Sequence, residues 1–191
     1  MRGAVIFDLD GTITRPVLDF DAIRSELGLT GGPVLEAVDA MEPADREQAL
    51  KVLERHERWA AENSTLQPGA VEMLGELRRL GHPVAILTRN ARRWTRVVLE
   101  KHGLTVDAVR CREDGAIKPS SIPILDLCQE LGAPVERSWM VGDHSIDIQA
   151  GRAGGVRTVL LVADRERPAC ADDADHVVSG LEEILPLVLQ A

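Results

Sequence analysis

Short apolar runs recur along the chain and alternate with stretches in which apolar residues are spaced as on one face of a helix. The runs are typical of buried strands, and the periodic stretches are typical of helices that cover a sheet. The predicted strands are residues 3–7, 83–87, 107–111, 138–141, 158–162 and 176–178. The predicted helices are residues 69–80, 92–102, 122–131, 146–153 and 181–189. The alternation predicts an α/β protein in which helices cover both faces of a parallel sheet.

The segment between the first two predicted strands departs from this alternation. Residues 16–66 contain no strand-like run. They contain three helix-like stretches, at residues 20–27, 34–41 and 44–62. Because one helix is enough to join two parallel strands, the surplus predicts a small helical cap inserted over the sheet edge. We expect a core of residues 1–15 and 67–191 and a cap of residues 16–66, with hinges near 14–16 and 66–69.

Length and composition set the class of the protein. A chain of 191 residues can form one good core with room for a small module. No apolar run approaches the roughly 20 residues that a membrane-spanning helix needs, and the first strand is interrupted too early for a signal peptide. The cysteines Cys111, Cys128 and Cys170 form no CxxC pair, so we expect neither a disulfide scaffold nor a zinc site. A reducing cytoplasm suits such a chain.

The charge of the chain bears on its partners. A formal net charge of −9 disfavours nucleic acid, because DNA and RNA are normally bound by a basic face. A small phosphorylated molecule can still be bound locally. We expect no nucleic-acid partner and no membrane partner, and a monomer, with a dimer as the alternative.

Two carboxylates follow the first predicted strand, in the sequence Asp8-Leu9-Asp10-Gly11-Thr12. In α/β proteins, ligands bind at the carboxyl ends of the strands. Two neighbouring carboxylates repel each other unless a cation lies between them, and Mg²⁺ prefers such oxygen ligands. A carboxylate beside a bound phosphate can also attack it, provided that a second group serves as acid and base. The pair therefore predicts a Mg²⁺ site, with Asp8 as nucleophile and Asp10 as the acid/base.

Two later segments place groups that can bind phosphate. Thr88 closes the second strand and offers a hydroxyl beside free backbone N–H groups, while Asn90 is expected to cap the following helix. Lys118 stands before Pro119 at a helix start, where its ammonium can reach a phosphate and offset the acidic charge. The alternatives are a turn stabilised by Thr88 and Asn90 and a solvated loop lysine.

A second acidic pair follows the fourth predicted strand, in Gly142-Asp143-His144-Ser145-Ile146-Asp147. Asp143 can bind the metal from the side opposite Asp8. Asp147 lies four residues later and can share a helical face with Asp143, where it orients Asp143, a metal-bound water or Lys118. The alternative is that Asp143 caps the helix and that Asp147 complements the helix dipole.

In this order, the four segments resemble the haloacid dehalogenase (HAD) superfamily: DxDGT, a hydroxyl residue, Lys-Pro and GDxxxD. The resemblance covers nearly the whole chain and implies a Rossmann-like three-layer core with the helical cap of the first subfamily, which includes phosphoglycolate phosphatase. It implies Mg²⁺-dependent hydrolysis of a small phosphate monoester through an aspartyl-phosphate. In this family pattern, Asp8 would be the nucleophile and a metal ligand, and Asp10 would be the acid/base and a metal ligand through its carbonyl. Asp143 would be a further metal ligand, with Gly11 and Asp147 in support. The phosphate would be contacted by Thr88, Arg89 and Lys118.

Other functions stay open on the same residues. A phosphomutase uses the same Asp pair but has to retain its substrate, which a short cap should do badly. A C–P bond hydrolase needs a cap lysine; Lys51 is the candidate, but an exposed ion pair with Glu47 also explains it. A phospho-accepting regulatory protein carries similar groups in a different chain order, and a non-catalytic binding protein should have lost at least one of them. Arg15 is either a substrate contact or a solvated hinge residue. His56 is either a substrate contact or a histidine packed in the core.

Overall fold

The computed structural model describes residues 1–163 and 166–190. Within them, six parallel strands form one sheet in the order β3-β2-β1-β4-β5-β6. The strands are β1 (Val5–Phe7), β2 (Val84–Leu87), β3 (Ala108–Arg110), β4 (Trp139–Gly142), β5 (Arg157–Leu161) and β6 (His176–Val178). Each lies within two residues of a predicted strand, which confirms the parallel α/β fold. The strand order reverses at β1, and the crevice at such a point is where parallel sheets bind ligands.

The helices also follow the sequence pattern. They are α1 (Phe20–Glu26), α2 (Val34–Asp39), α3 (Pro43–Asn63), α4 (Ala70–Arg79), α5 (Arg92–Lys101), α6 (Ile122–Glu130), α7 (Ser145–Gly154) and α8 (Ile184–Leu189). The predicted helix 181–189 differs, because its first turn, Leu181–Glu183, is a 3₁₀ turn. Pro186 lacks the N–H that an α-helix starting earlier would bond to Glu182. No helix in the described ranges is both long enough and apolar enough to cross a bilayer.

Two hydrophobic clusters cover the two faces of the sheet. Successive strand residues point to opposite faces, so Val5 and Phe7 join one cluster while Ala4 and Ile6 join the other. The first cluster includes residues of α4, α5 and α8, and the second includes residues of α6. The core therefore has the three layers that the pattern predicts.

Helices α1, α2 and α3 form a helical segment between β1 and α4. They pack around a small cluster of their own, formed by Ile23, Val34, Val38, Ala49 and Leu53. The C-terminal half of α3 reaches the sheet domain, where Ala61 joins the larger cluster. The chain enters and leaves the segment side by side: the Arg15 N–H donates to the Thr65 carbonyl, and the Gln67 N–H donates to the Ile13 carbonyl, both at 2.9 Å.

Candidate active site

Three carboxylates meet at the carboxyl ends of the neighbouring strands β1 and β4. The Asp8 N–H donates to the Val141 carbonyl at 2.9 Å, so Asp8 continues the pairing of the two strands. Asp143 follows the last residue of β4, and Asp147 lies in the first turn of α7. Asp8, Asp143 and Asp147 each offer an oxygen, and these oxygens lie within 4.8 Å of one another. The sheet order thus brings together acids that are far apart in the chain.

Two glycines make this close approach possible. Gly11 has a φ of +83°, and a Cβ there would lie 2.3 Å from Asp143 Oδ2. At Gly142, a Cβ would lie 2.3 Å from the Asp147 side chain. Any larger residue at either position would displace a carboxylate, and at Gly11 it would also adopt a strained backbone. Asp143 can therefore occupy its place only if residue 11 is a glycine, which gives Gly11 a supporting part in the site.

Lys118 is a fully buried cation between two of these acids. Its Nζ donates to Asp8 Oδ1 and to Asp147 Oδ1, both at 2.7 Å, and the side chain is 1% exposed. Burial alone would lower the pKa of Lys118, but the nearby Asp147 and Asp8 outweigh it and raise the pKa above its usual value. Lys118 is therefore charged, and its alternative as a solvated loop residue is wrong.

Asp147 contacts both Lys118 and the start of α7. Its Oδ1 binds Lys118, and its Oδ2 accepts the His144 N–H at 3.0 Å in a capping box at the start of α7. His144, not Asp143, occupies the N-cap position. The alternative in which Asp143 caps the helix is wrong, and the Asp143 carboxylate instead accepts a 3.4 Å hydrogen bond from the Thr12 hydroxyl.

The charges of this cluster do not balance. One ammonium faces three carboxylates, and burial together with Asp147 and Asp143 raises the pKa of Asp8 to about 8, although Lys118 acts in the opposite direction. Without a further cation, Asp8 therefore holds its proton more tightly than an ordinary carboxyl does. The available ligands are carboxylate oxygens, which suit a hard divalent cation such as Mg²⁺. The residues present therefore fit a Mg²⁺ ion.

Asp10 faces a different set of partners. The Asn90 amide donates to its Oδ2, and the Thr14 hydroxyl donates to its Oδ1 at 3.3 Å. Burial raises the pKa of Asp10, against the opposing effect of Asn90, Thr14 and Lys118. A carboxyl that holds its proton more tightly than usual is suited to act as a general acid.

Asn90 was expected to cap α5, and this prediction is wrong. Ala91 occupies the N-cap position, and the first N–H of the helix, on Arg92, donates to the Glu113 carboxylate at 3.0 and 3.1 Å. Because Glu113 satisfies the helix start, the Asn90 side chain is available to Asp10. The available signal was an amide three residues after β2, the strand that pairs with the one ending just before Asp8.

The two remaining predicted phosphate contacts, Thr88 and Arg89, directly precede Asn90 in the same turn. Thr88 is buried, and its hydroxyl oxygen accepts the Asn90 N–H at 3.1 Å. Arg89 donates to Glu36 of α2 at 2.6 Å, so its guanidinium joins the core to the helical segment. The predicted phosphate contacts of Thr88 and Arg89 stay predictions.

The other residues considered from the sequence have local partners. Lys51 pairs with Glu47 at 2.7 Å with both side chains largely exposed, as the ion-pair explanation expects. His56 is half-buried, and its Nε2 lies 3.0 Å from Glu26 Oε2. Arg15 is exposed at the junction with the helical segment. Lys51 therefore offers no buried amine to a C–P bond hydrolase.

Comparison with known proteins relates most of the chain to one family. Residues 18–161 match the family model described as haloacid dehalogenase-like hydrolase. A phosphoglycolate phosphatase of Chromobacterium violaceum is 28% identical over 214 residues, which cover 97% of this chain and 96% of the relative. An N-acetylmuramic acid 6-phosphate phosphatase of Pseudomonas putida is 30% identical over 182 residues, which cover 83% of this chain and 82% of the relative.

A solved structure supports the fold over the whole length. A hydrolase from Pseudomonas syringae has a TM-score of 0.82 and 20% identity, and the match covers 99% of both chains. The agreement extends to the helical segment as well as the sheet.

Proposed function

The chain belongs to the haloacid dehalogenase-like hydrolase family, and from this premise we propose that it is a Mg²⁺-dependent phosphatase of small phosphate monoesters that works through an aspartyl-phosphate on Asp8. The observation that carries the proposal is the cluster in which Lys118 binds Asp8 and Asp147 while Asp143 lies alongside. The two named relatives, whose names state a phosphate ester, support the substrate class. Their names differ in the rest of the ester, so the leaving group stays open.

Asp8 and Asp143, with the backbone carbonyl of Asp10, would hold the Mg²⁺ ion. When bound, the ion supplies positive charge that neutralises the carboxylates and the phosphoryl oxygens. The raised pKa of Asp8 supports this assignment, because a cation would replace the proton that this carboxyl otherwise keeps.

The side chains can then divide the reaction between them. Asp8 attacks phosphorus in line with the leaving oxygen, and Lys118, fixed by Asp147, stabilises the charge of the transferred group. Thr88 adds a hydroxyl on the opposite side of the crevice. Asp10 gives its proton to the leaving alkoxide and then, as a base, activates the water that hydrolyses the aspartyl-phosphate.

We propose that residues 16–66 form a cap that selects the substrate, and that residues 1–15 and 67–191 form the catalytic core. The separate small cluster of α1–α3 and the paired entry and exit segments support this division. The bond between Arg89 and Glu36 links the two parts next to Thr88. The three cysteines are free, which suits an enzyme of the reducing cytoplasm.

The test is hydrolysis of a panel of phosphate monoesters by the purified protein. We expect phosphate release with Mg²⁺, none after EDTA treatment, and recovery with Mg²⁺ but not with Ca²⁺, whose larger coordination number would tie up the attacking oxygen of Asp8. The matched variant is Asp8→Asn, which should lose at least about a thousandfold in activity. Metal-independent hydrolysis, or an Asp8→Asn variant with more than a few per cent of the activity, would contradict the proposal.

A further inference from the structure

A closed ring of contacts joins the helical segment to the turn after β2. Glu57 of α3 pairs with the Arg112 guanidinium, and its carboxylate also accepts the Ala91 N–H at 3.3 Å. The Arg112 backbone N–H donates to the Asn90 carbonyl at 3.2 Å. Because the Asn90 carbonyl and the Ala91 N–H belong to the same peptide group, the pair of Glu57 and Arg112 holds both polar atoms of that group.

Three polar groups of Asn90 have partners. Its N–H donates to the Thr88 hydroxyl oxygen at 3.1 Å, its carbonyl accepts from Arg112, and its side-chain amide donates to Asp10. The backbone of the turn is therefore held by contacts that do not involve Asp10. A continuous path of contacts runs from the helical segment through Glu57, Arg112 and Asn90 to the carboxylate of Asp10.

The burial of Glu57 argues for a role beyond stability. Its side chain is 5% exposed, and a buried ion pair of this kind roughly breaks even against apolar residues of the same size. A second pair, Arg93 with Glu54, also joins α3 to the core, but it lies at the surface with 71% and 50% of the side chains exposed. The exposed pair shows that α3 can be attached to the core without a buried charge. The Ala91 N–H, in contrast, needs a hydrogen-bond acceptor at the position of Glu57.

We propose that Asn90 and Glu57 are positioning residues for Asp10: α3, through Glu57 and Arg112, fixes the turn at Asn90, and Asn90 holds the Asp10 side chain where it exchanges a proton with the leaving group. The inference rests on the proposed phosphatase function. It adds a second task to the helical segment, which contributes to proton transfer as well as to the choice of substrate.

The test compares two esters that differ in their need for a general acid. p-Nitrophenolate leaves with little protonation, whereas an alkyl phosphate needs the proton of Asp10. In single-turnover experiments with Mg²⁺, Asn90→Ala and Glu57→Ala should slow the alkyl ester about tenfold to a hundredfold, the range expected for a misplaced catalytic group, and should slow p-nitrophenyl phosphate by less than about threefold. Glu57→Gln keeps an acceptor for Ala91 and should restore most of the alkyl rate.

Glu54→Ala is the matched control, because it removes a contact of the same helix with the core without touching the turn. It should leave the ratio of the two rates unchanged. Circular dichroism melts check that each variant folds. Should Glu57→Ala not fold because Arg112 loses its partner, Asn90→Ala still tests whether Asn90 positions Asp10. Glu57→Gln then tests Glu57: it keeps an acceptor for the Ala91 N–H, so a ratio of the two rates far from the wild-type ratio would contradict the role of Glu57.

The outcomes separate the two proposals. Suppose that the wild-type enzyme is active, but that the variants slow both esters equally or slow the alkyl ester no more than Glu54→Ala does. This result would overturn the positioning role and leave the phosphatase function intact. A wild-type enzyme that hydrolyses neither ester would overturn both.

Discussion

Replacing Lys118 by methionine tests the electrostatic account of the site. Lys118 and Asp147 are each 1% exposed and are joined at 2.7 Å, and the same ammonium binds Asp8 at 2.7 Å. Lys118→Met keeps most of the volume but leaves three carboxylates without their cation. Breaking a buried pair by removing one partner costs about 3–5 kcal/mol. For a domain of this size, each kcal/mol corresponds to about 2–4 °C, so the metal-free melting temperature should fall by about 6–20 °C.

The matched control is Lys51→Met. Lys51 makes an ion pair of the same length with Glu47, but the two side chains are 61% and 72% exposed. Exposed pairs contribute about 0.2–1 kcal/mol, so this variant should melt within a few degrees of the wild type. The comparison isolates the effect of burial from the loss of one positive charge.

The assay is thermal and urea denaturation in EDTA and in excess Mg²⁺. In EDTA, the loss of stability in Lys118→Met should grow as the pH rises, because Asp8 then loses the proton that substitutes for the missing cation. Mg²⁺ should stabilise Lys118→Met by more than it stabilises the wild type, since the ion supplies the missing positive charge. A loss in EDTA below about 1 kcal/mol, equal to that of Lys51→Met, would refute the claim that Lys118 neutralises the acidic cluster.

Three further predictions concern the same site. Because the pKa of Asp8 is raised to about 8, Mg²⁺ binding should release protons below that pH and should weaken as the pH falls; calorimetry in buffers of different ionisation enthalpy measures this, and binding without proton release at pH 7 would argue against Asp8 as a ligand. Gly11→Ala should abolish activity and weaken Mg²⁺ binding, because its Cβ would lie 2.3 Å from Asp143 Oδ2. Gly32→Ala is the control: it has a similar φ of +81° and no atom within 4 Å of its Cβ, so it should lower stability alone. Equal activities of the two variants would count against the packing argument. Replacing residues 16–66 by a Gly/Ser linker should preserve some Mg²⁺-dependent hydrolysis of p-nitrophenyl phosphate and erase the preference among alkyl esters; a well-folded deletion with unchanged selectivity, verified by a cooperative melt, would move substrate recognition to the core.

The strands and the acidic residues after them could be predicted from the sequence, because both depend on local order. An apolar run that ends at Asp8 or Asp143 indicates a strand with a carboxylate at its end, whatever the rest of the chain does. The contact of Asp8 with Asp143 depends on β1 lying next to β4, which no local pattern encodes. The burial of Lys118 has the same cause, since its two partners are Asp8 at the end of β1 and Asp147 in α7, which follows β4.

The residues missed around Asp10 depend on contacts between distant segments. Asn90 follows a strand in the position of a helix cap, and only the contact of Glu113 with the start of α5 makes its side chain available to Asp10. Glu57 left one signal in the sequence: it continues the four-residue spacing of Ala49 and Leu53 on the buried side of α3, where a charged residue needs a partner. That partner, Arg112, lies beyond the next two strands and could not be assigned from the spacing.

The proposed mechanism depends above all on Asp8 carrying the phosphoryl group during the reaction. Mass spectrometry of the Asp10→Asn variant, quenched in acid during turnover of p-nitrophenyl phosphate, measures this without an intervening assumption about the substrate. This leaving group departs without the acid, while hydrolysis of the aspartyl-phosphate is slow without the base, so the intermediate should accumulate. We expect phosphate on the peptide that contains Asp8, and none in Asp8→Asn treated in the same way. Turnover without any phosphorylated peptide, or with phosphate on another residue, would contradict the mechanism.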